Sequence, residues 1–136
     1  MKRLNRLVLL SLVTPILIAA PTVLAAERMK SGQCEITTTA GARPAQCATP
    51  QEVKGINGTP AEVRAYIETT VKDLGTIQNF KVQGDTVSYT ILAAGSSFDT
   101  RTSYHGDTFE SVTTSKAAAG VPETSHIKGR RLGPCP

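Results

Sequence analysis

The residues of this chain best suited to covalent or metal chemistry are Cys34, Cys47, Cys135, His105 and His126. A cysteine nucleophile needs a lowered pKa and a base beside it. Cys34 is the candidate reactive thiol, yet neither histidine sits in a recognisable motif. The plainer reading of Cys34 is a half-buried thiol on a strand, and we adopt it. Cys34, His105 and Asp107 lack ligand spacing of the finger or zincin type, so no metal site is assigned. Glu123, Ser125 and His126 can be drawn as a triad, but neighbours in sequence rarely have triad geometry. No catalytic residue and no cofactor is assigned. Three cysteines allow one disulfide in three ways, and spacing leaves all three open.

The chain opens with a targeting segment. Lys2, Arg3 and Arg6 form a basic start, and Leu7 to Ala20 is an apolar run interrupted by Ser11, Thr14 and Pro15. Val23-Leu24-Ala25 offers the small residues of a signal-peptidase site, so residues 1–25 read as a signal peptide cleaved after Ala25. The run is short for a membrane span and contains a helix-breaking proline, so no integral membrane segment is expected after cleavage. Three of the 15 Lys and Arg residues lie in this leader, leaving 12 against 11 Asp and Glu. A net charge of +1 gives no reason to expect nucleic acid as a partner. Residues 26–136 form one small exported α+β domain on this reading. A domain of this size with few aromatics has a modest core, and exported domains often add a disulfide.

The elements that must position these residues follow from local patterns. Glu35 to Thr39 leans to a first strand, and Gly41-Ala42-Arg43-Pro44 reads as a turn or loop leading to Cys47. Thr49-Pro50-Gln51-Glu52 and Thr59-Pro60-Ala61-Glu62 both fit a capping box, with Pro in the first helical position. The first is expected to open only a turn before Gly55. The second opens the main helix, Pro60 to Leu74, with Val63, Tyr66, Ile67, Val71 and Leu74 as its apolar stripe and Gly75 as its stop. Asn57-Gly58-Thr59 matches a glycosylation sequon but reads as a turn.

Gly84-Asp85 and Gly106-Asp107 each sit between short alternating runs and predict two-residue hairpins. The first register sets Val82 opposite Val87 and Phe80 opposite Tyr89. The second sets Tyr104 opposite Phe109, with Phe98 further along the same face. A slip of one residue would turn one strand's apolar set outward. Leu92 to Ser97 reads as a link, Lys116 to Glu123 as a loop, and Thr124 to Leu132 as a last strand. The expected fold is a curved antiparallel β-meander of about six strands with one main α-helix. Phe80, Tyr89, Phe98, Tyr104 and Phe109 make one aromatic face, either a ligand surface or the core under the helix. Lys128, Arg130 and Arg131 can bind an anionic head group or acidic partner; we read them as a solvated strand face.

Gly32-Gln33-Cys34-Glu35, Cys47-Ala48-Thr49-Pro50-Gln51-Glu52, Phe80 to Val87, Tyr104 to Glu110 and Gly129 to Cys135 occur here in a fixed order. Together they resemble a small proteobacterial periplasmic family known as domain of unknown function number three-six-one-seven, from about Met29 to Cys135. The resemblance implies a periplasmic location in a Gram-negative bacterium and lends no catalytic residue. Many members carry a Trp where Cys34 stands and two further cysteines near Thr76 and Ala93. The absence of both middle cysteines here implies, by that resemblance, a Cys47–Cys135 disulfide with Cys34 left over. Such a bond closes a loop of roughly 90 residues, worth up to about 4–5 kcal/mol in the loop-entropy picture. The expected function is a non-catalytic binding or interaction module of the cell envelope, with a small apolar ligand or an envelope protein as partner. A thiol-dependent enzyme using Cys34 and a purely structural protein are the alternatives.

Overall fold

The computed structural model describes residues 25–136. The expected leader therefore lies outside the described residues except for Ala25. Both capping boxes form. Glu52 Oε2 accepts from Thr49 N at 2.8 Å, and Glu62 Oε2 accepts from Thr59 N at 2.7 Å. Each threonine hydroxyl in turn accepts from the glutamate amide. These bonds satisfy donors that a helix start otherwise leaves unpaired.

The first box opens more than a single turn. Helix α1 spans Pro50–Asn57 and runs straight through Gly55. A mid-helix glycine costs roughly 1 kcal/mol relative to alanine, but here it has a use. The Tyr66 ring of the next helix lies so close to Gly55 that a Cβ would overlap it. Gly55 is thus a point of close helix packing, not a stop. Helix α2 spans Pro60–Val71, shorter than the expected Pro60 to Leu74, and Leu74 is 65% exposed beyond it. Gly75 also differs from expectation. It does not adopt the left-handed cap conformation; its missing Cβ instead lets it approach the Leu92 carbonyl.

Seven strands form one antiparallel sheet: β1 Gly32–Thr38, β2 Gly41–Ala48, β3 Thr76–Gln83, β4 Thr86–Ala93, β5 Ser96–Tyr104, β6 Thr108–Ala117 and β7 Glu123–Gly133. Their order across the sheet is β2-β1-β7-β6-β5-β4-β3. The expected count was about six. The extra strand is β2, where a turn or loop was expected through Pro44. It survives as an edge strand because Pro44 falls where the β1–β2 register shifts, between the pairs Cys34–Gln46 and Ile36–Arg43. An edge or a bulge is where a strand tolerates a missing N–H.

The β5–β6 hairpin keeps the expected register, with Tyr104 opposite Phe109 and Thr102 opposite Ser111. The β3–β4 hairpin keeps it only near its turn, where Val82 faces Val87. Further along, the register shifts between Gln78 and Lys81, where Asn79 takes φ 51°, so Phe80 and Tyr89 are not a register pair. Both still pack against the core. The expected link at Leu92 to Ser97 is itself a tight hairpin turn. Ala94 and Gly95 both take positive φ, 43° and 81°, which a mirror-image turn requires. Alanine gives no signal for that conformation.

The helices connect β2 at one edge to β3 at the other, crossing one face of the sheet. Val63, Ile67 and Val71 of α2 join Ile56, Val87 and Tyr104 as the buried cluster. Phe80, Val82, Tyr89 and Ile91 pack around it, which places the core over β3, β4 and β5. Arg64 sets its guanidinium 5.9 Å above the Phe80 ring. At the other end, a disulfide joins Cys47 to Cys135 with a Cα–Cα distance of 5.6 Å. Gln33 of β1 pairs with both Cys47 and Gly133, so the bond straps the C-terminal tail across the end of β1 onto β2.

Candidate functional site

The part of the sheet that α2 leaves uncovered carries an open groove of about 420 Å³. Val53 and Ile56 of α1 and Tyr66 of α2 line its helical side. Its floor is a row of residues aligned across five strands. Arg43 of β2 pairs with Ile36 of β1, Ile36 with Gly129 of β7, Gly129 with Phe109 of β6, and Phe109 with Tyr104 of β5. A Cβ on Gly129 would enter the Phe109 ring, so the glycine is what lets that ring lie over β7. The Tyr104 and Phe109 rings are tilted by 41° with centroids 6.2 Å apart, within the range of favourable aromatic pairs.

A second, more polar row runs beside the first. Thr38 pairs with Ile127, Ile127 with Ser111, and Ser111 with Thr102. Thr102 Oγ1 and Ser111 Oγ share a hydrogen bond of 2.9 Å, so neither hydroxyl is left bare in the floor. Burial pushes the Tyr104 phenol well above its ordinary range, and the same cause raises Tyr89. These hydroxyls stay protonated at any physiological pH.

Cys34 also lines the groove but is 4% exposed. Burial raises its thiol pKa, and nearby Arg131 offsets that only in part. Its sulfur points at the Gly32 carbonyl at 3.7 Å. Nucleophilic use would require the opposite shift. His105 and His126 are exposed, and Asp107 is engaged by Lys30 at 2.9 Å. Among the described residues no cluster of His, Cys, Asp and Glu is arranged to hold a metal ion.

The five aromatics of the expected ligand face are divided by the structure. Tyr104 and Phe109 line the groove and also join the core, Tyr104 within the buried cluster and Phe109 packed against it. Phe80 and Tyr89 belong to the packing beneath the helices. Phe98 pairs with Ile91 and Ser115, away from the groove. The basic cluster is divided too. Arg130 pairs with Glu35 at 2.9 Å and Lys128 with Glu110 at 2.9 Å on the solvent face. Arg131 donates to the Ser31 carbonyl at 2.7 Å and lies 3.8 Å from the Asp107 carboxylate.

Sequence reasoning missed the groove residues Arg43, Ile36, Val53 and Ile56, and it missed Arg28. Arg28 is 3% exposed. Its Nε donates to Gly84 O at 2.9 Å, and its Nη1 donates to Ile56 O at 2.8 Å and Gly58 O at 3.0 Å. The cation thus sits at the C-terminal end of α1, where the helix carbonyls carry partial negative charge. Asn57 completes the junction, its side-chain amide exchanging hydrogen bonds with the backbone of Met29 at 2.9 and 2.8 Å. A single Arg beside an expected cleavage site carries no periodic signal that would mark it as buried.

Among the described residues no helix is long and apolar enough to cross a membrane. Comparison of the chain with protein-family models, with curated proteins and with solved structures finds no match to any of them.

Proposed function

We propose that this protein is a non-catalytic binding module of the Gram-negative cell envelope, working in the periplasm. It takes a small apolar ligand, or a segment of an envelope protein, in the groove beside α1, on the inner side of a curved sheet. The observation that carries this reading is the groove itself. Its volume of about 420 Å³ falls in the range of ligand sites, and its floor sets an apolar row through Ile36, Phe109 and Tyr104 beside the hydroxyls of Thr38, Ser111 and Thr102. The disulfide supports an oxidising compartment, in line with the export leader read from the sequence. We further propose membership in the periplasmic family that the sequence motifs resemble.

Native mass spectrometry of protein purified from the periplasm tests the binding reading. A co-purifying lipid or metabolite is the expected result, with its occupancy reduced by Phe109→Ala. A clean apo mass in repeated preparations overturns it. The thiol-enzyme alternative rests on Cys34 lining the same groove, and burial of that thiol weighs against it. Rapid labelling of Cys34 by a thiolate-selective reagent at neutral pH would restore it.

A further inference from the structure

The floor of the groove changes character along its length. From Tyr104 through Phe109 and Ile36 the row is apolar, and it ends on Arg43 in the edge strand. Five strands at about 4.8 Å spacing make this row roughly 19 Å long. Arg43 is exposed, lines the groove, and among the described residues has no carboxylate within ion-pair distance. The other charged residue lining the groove is Glu52. Its carboxylate is already occupied, accepting from Thr49 N at 2.8 Å and Thr49 Oγ1 at 2.9 Å. The cation at the mouth is therefore available, whereas the anion there is committed to a helix cap. By contrast, Lys128 and Arg130 on the opposite face each hold a carboxylate.

We propose that the groove binds a free, single-chain anionic amphiphile, such as a fatty-acid-like carboxylate. Its apolar chain lies along the Ile36–Phe109–Tyr104 row and its head group meets Arg43. This inference rests on the binding-module reading above and adds the ligand's chemical class and its direction in the groove. An apolar chain alone would leave the exposed guanidinium to water. An acidic head gives it a charge-assisted hydrogen bond, and the planar fork suits a carboxylate. The head stays at the solvated rim, so no bare charge is buried.

Calorimetric titration with dodecanoate and 1-dodecanol, below the micellar concentration at pH 8, is the test. The wild-type chain is expected to bind dodecanoate about fivefold more tightly than the alcohol, the size of an exposed ion pair, and less so at high salt. Arg43→Ala is expected to remove the preference, so that acid and alcohol bind alike, and Arg43→Lys to retain most of it. Arg43 is exposed on an edge strand, so these variants keep the fold. Equal binding of acid and alcohol by the wild type overturns the head-group assignment and leaves the binding module standing. So does a preference that survives in Arg43→Ala. Binding to phosphatidylglycerol vesicles without binding of dodecanoate also overturns it, moving the surface to a membrane. If neither dodecanoate nor dodecanol binds, this inference falls, and a clean apo mass in the native measurement is what would overturn the binding-module reading as well.

Discussion

The two ends of the one antiparallel sheet are stabilised differently. Over β3, β4 and β5, helix α2 buries Val63, Ile67 and Val71 against Val87 and Tyr104. Among the described residues no comparable cluster forms over β2, β1 and β7, and Ile36 and Ile127 remain half-buried in the groove. That end relies on the Cys47–Cys135 bond and on cross-strand ion pairs such as Glu35–Arg130. Exposed ion pairs contribute little, typically under about 1 kcal/mol each. The disulfide therefore stands in for an apolar layer, and leaving that layer out is what opens the groove. In this fold, the position of a helix decides whether an alternating strand face becomes core or site.

The largest effect is expected from removing the disulfide. The Cys47→Ala, Cys135→Ala double variant should lose about 3 kcal/mol in denaturant unfolding. Its hydrogen-exchange protection should fall first in β1 and β2. Equal loss of protection in β4 and β5 would show that the two ends form one cooperative unit. Val63→Ala comes next, at about 2 kcal/mol, because Val63 is fully buried in the cluster. It should weaken the β3–β5 end without changing ligand binding in the groove. A change in binding as large as that of Phe109→Ala would tie the core to the site.

The smallest effect is electrostatic. Backbone and side-chain hydrogen bonds from Thr59 hold Glu62 below its ordinary 4.5, and the Thr90 hydroxyl with Lys116 holds Asp99 below 3.8. Lys30 lowers Asp107 and Lys128 lowers Glu110. A depressed folded pKa gives stability that is complete above the unfolded value and lost as pH falls through the folded one. The melting temperature should be flat above about pH 5 and decline gently below about pH 4. Glu62 and Asp99 belong to the α2 and β3–β5 end, whereas Asp107 and Glu110 are held by Lys30 before β1 and Lys128 of β7, so the decline should not separate the two ends. A melting temperature that rises on acidification would contradict the assigned hydrogen bonds.

Much of the fold was legible where chemistry is local. The capping glutamates, the Gly-Asp turns and the Tyr104–Phe109 pairing all depend on residues a few positions apart. What escaped notice depends on distant partners. Gly55 reads as a stop until the Tyr66 ring is placed on it. Pro44 reads as a loop until its strand is seen to lie at an edge beside a bulge. Ala94 reads as a link because alanine gives no hint of positive φ. The site was less legible than the fold, for the same reason. Phe80 and Phe109 carry identical alternation signals and both pack against the core, yet only Phe109 also lines the groove. Arg43 and Arg28 differ even more. The first is exposed in the groove mouth and the second buried on three carbonyls, and neither has a periodic pattern around it.

The strand order also sets a timetable. β7 is last in sequence but lies between β1 and β6, so Gln33 must wait for Gly133 before β1 gains its second neighbour. A lone two-stranded hairpin is marginal in water, which leaves β1–β2 poorly held for as long as the chain is incomplete. Contacts across such a span also close slowly, because the loop entropy is lost before the contacts form. A chain delivered N-terminus first therefore assembles β3 to β6 as a meander, and the end that bears the groove is completed only when β7 arrives.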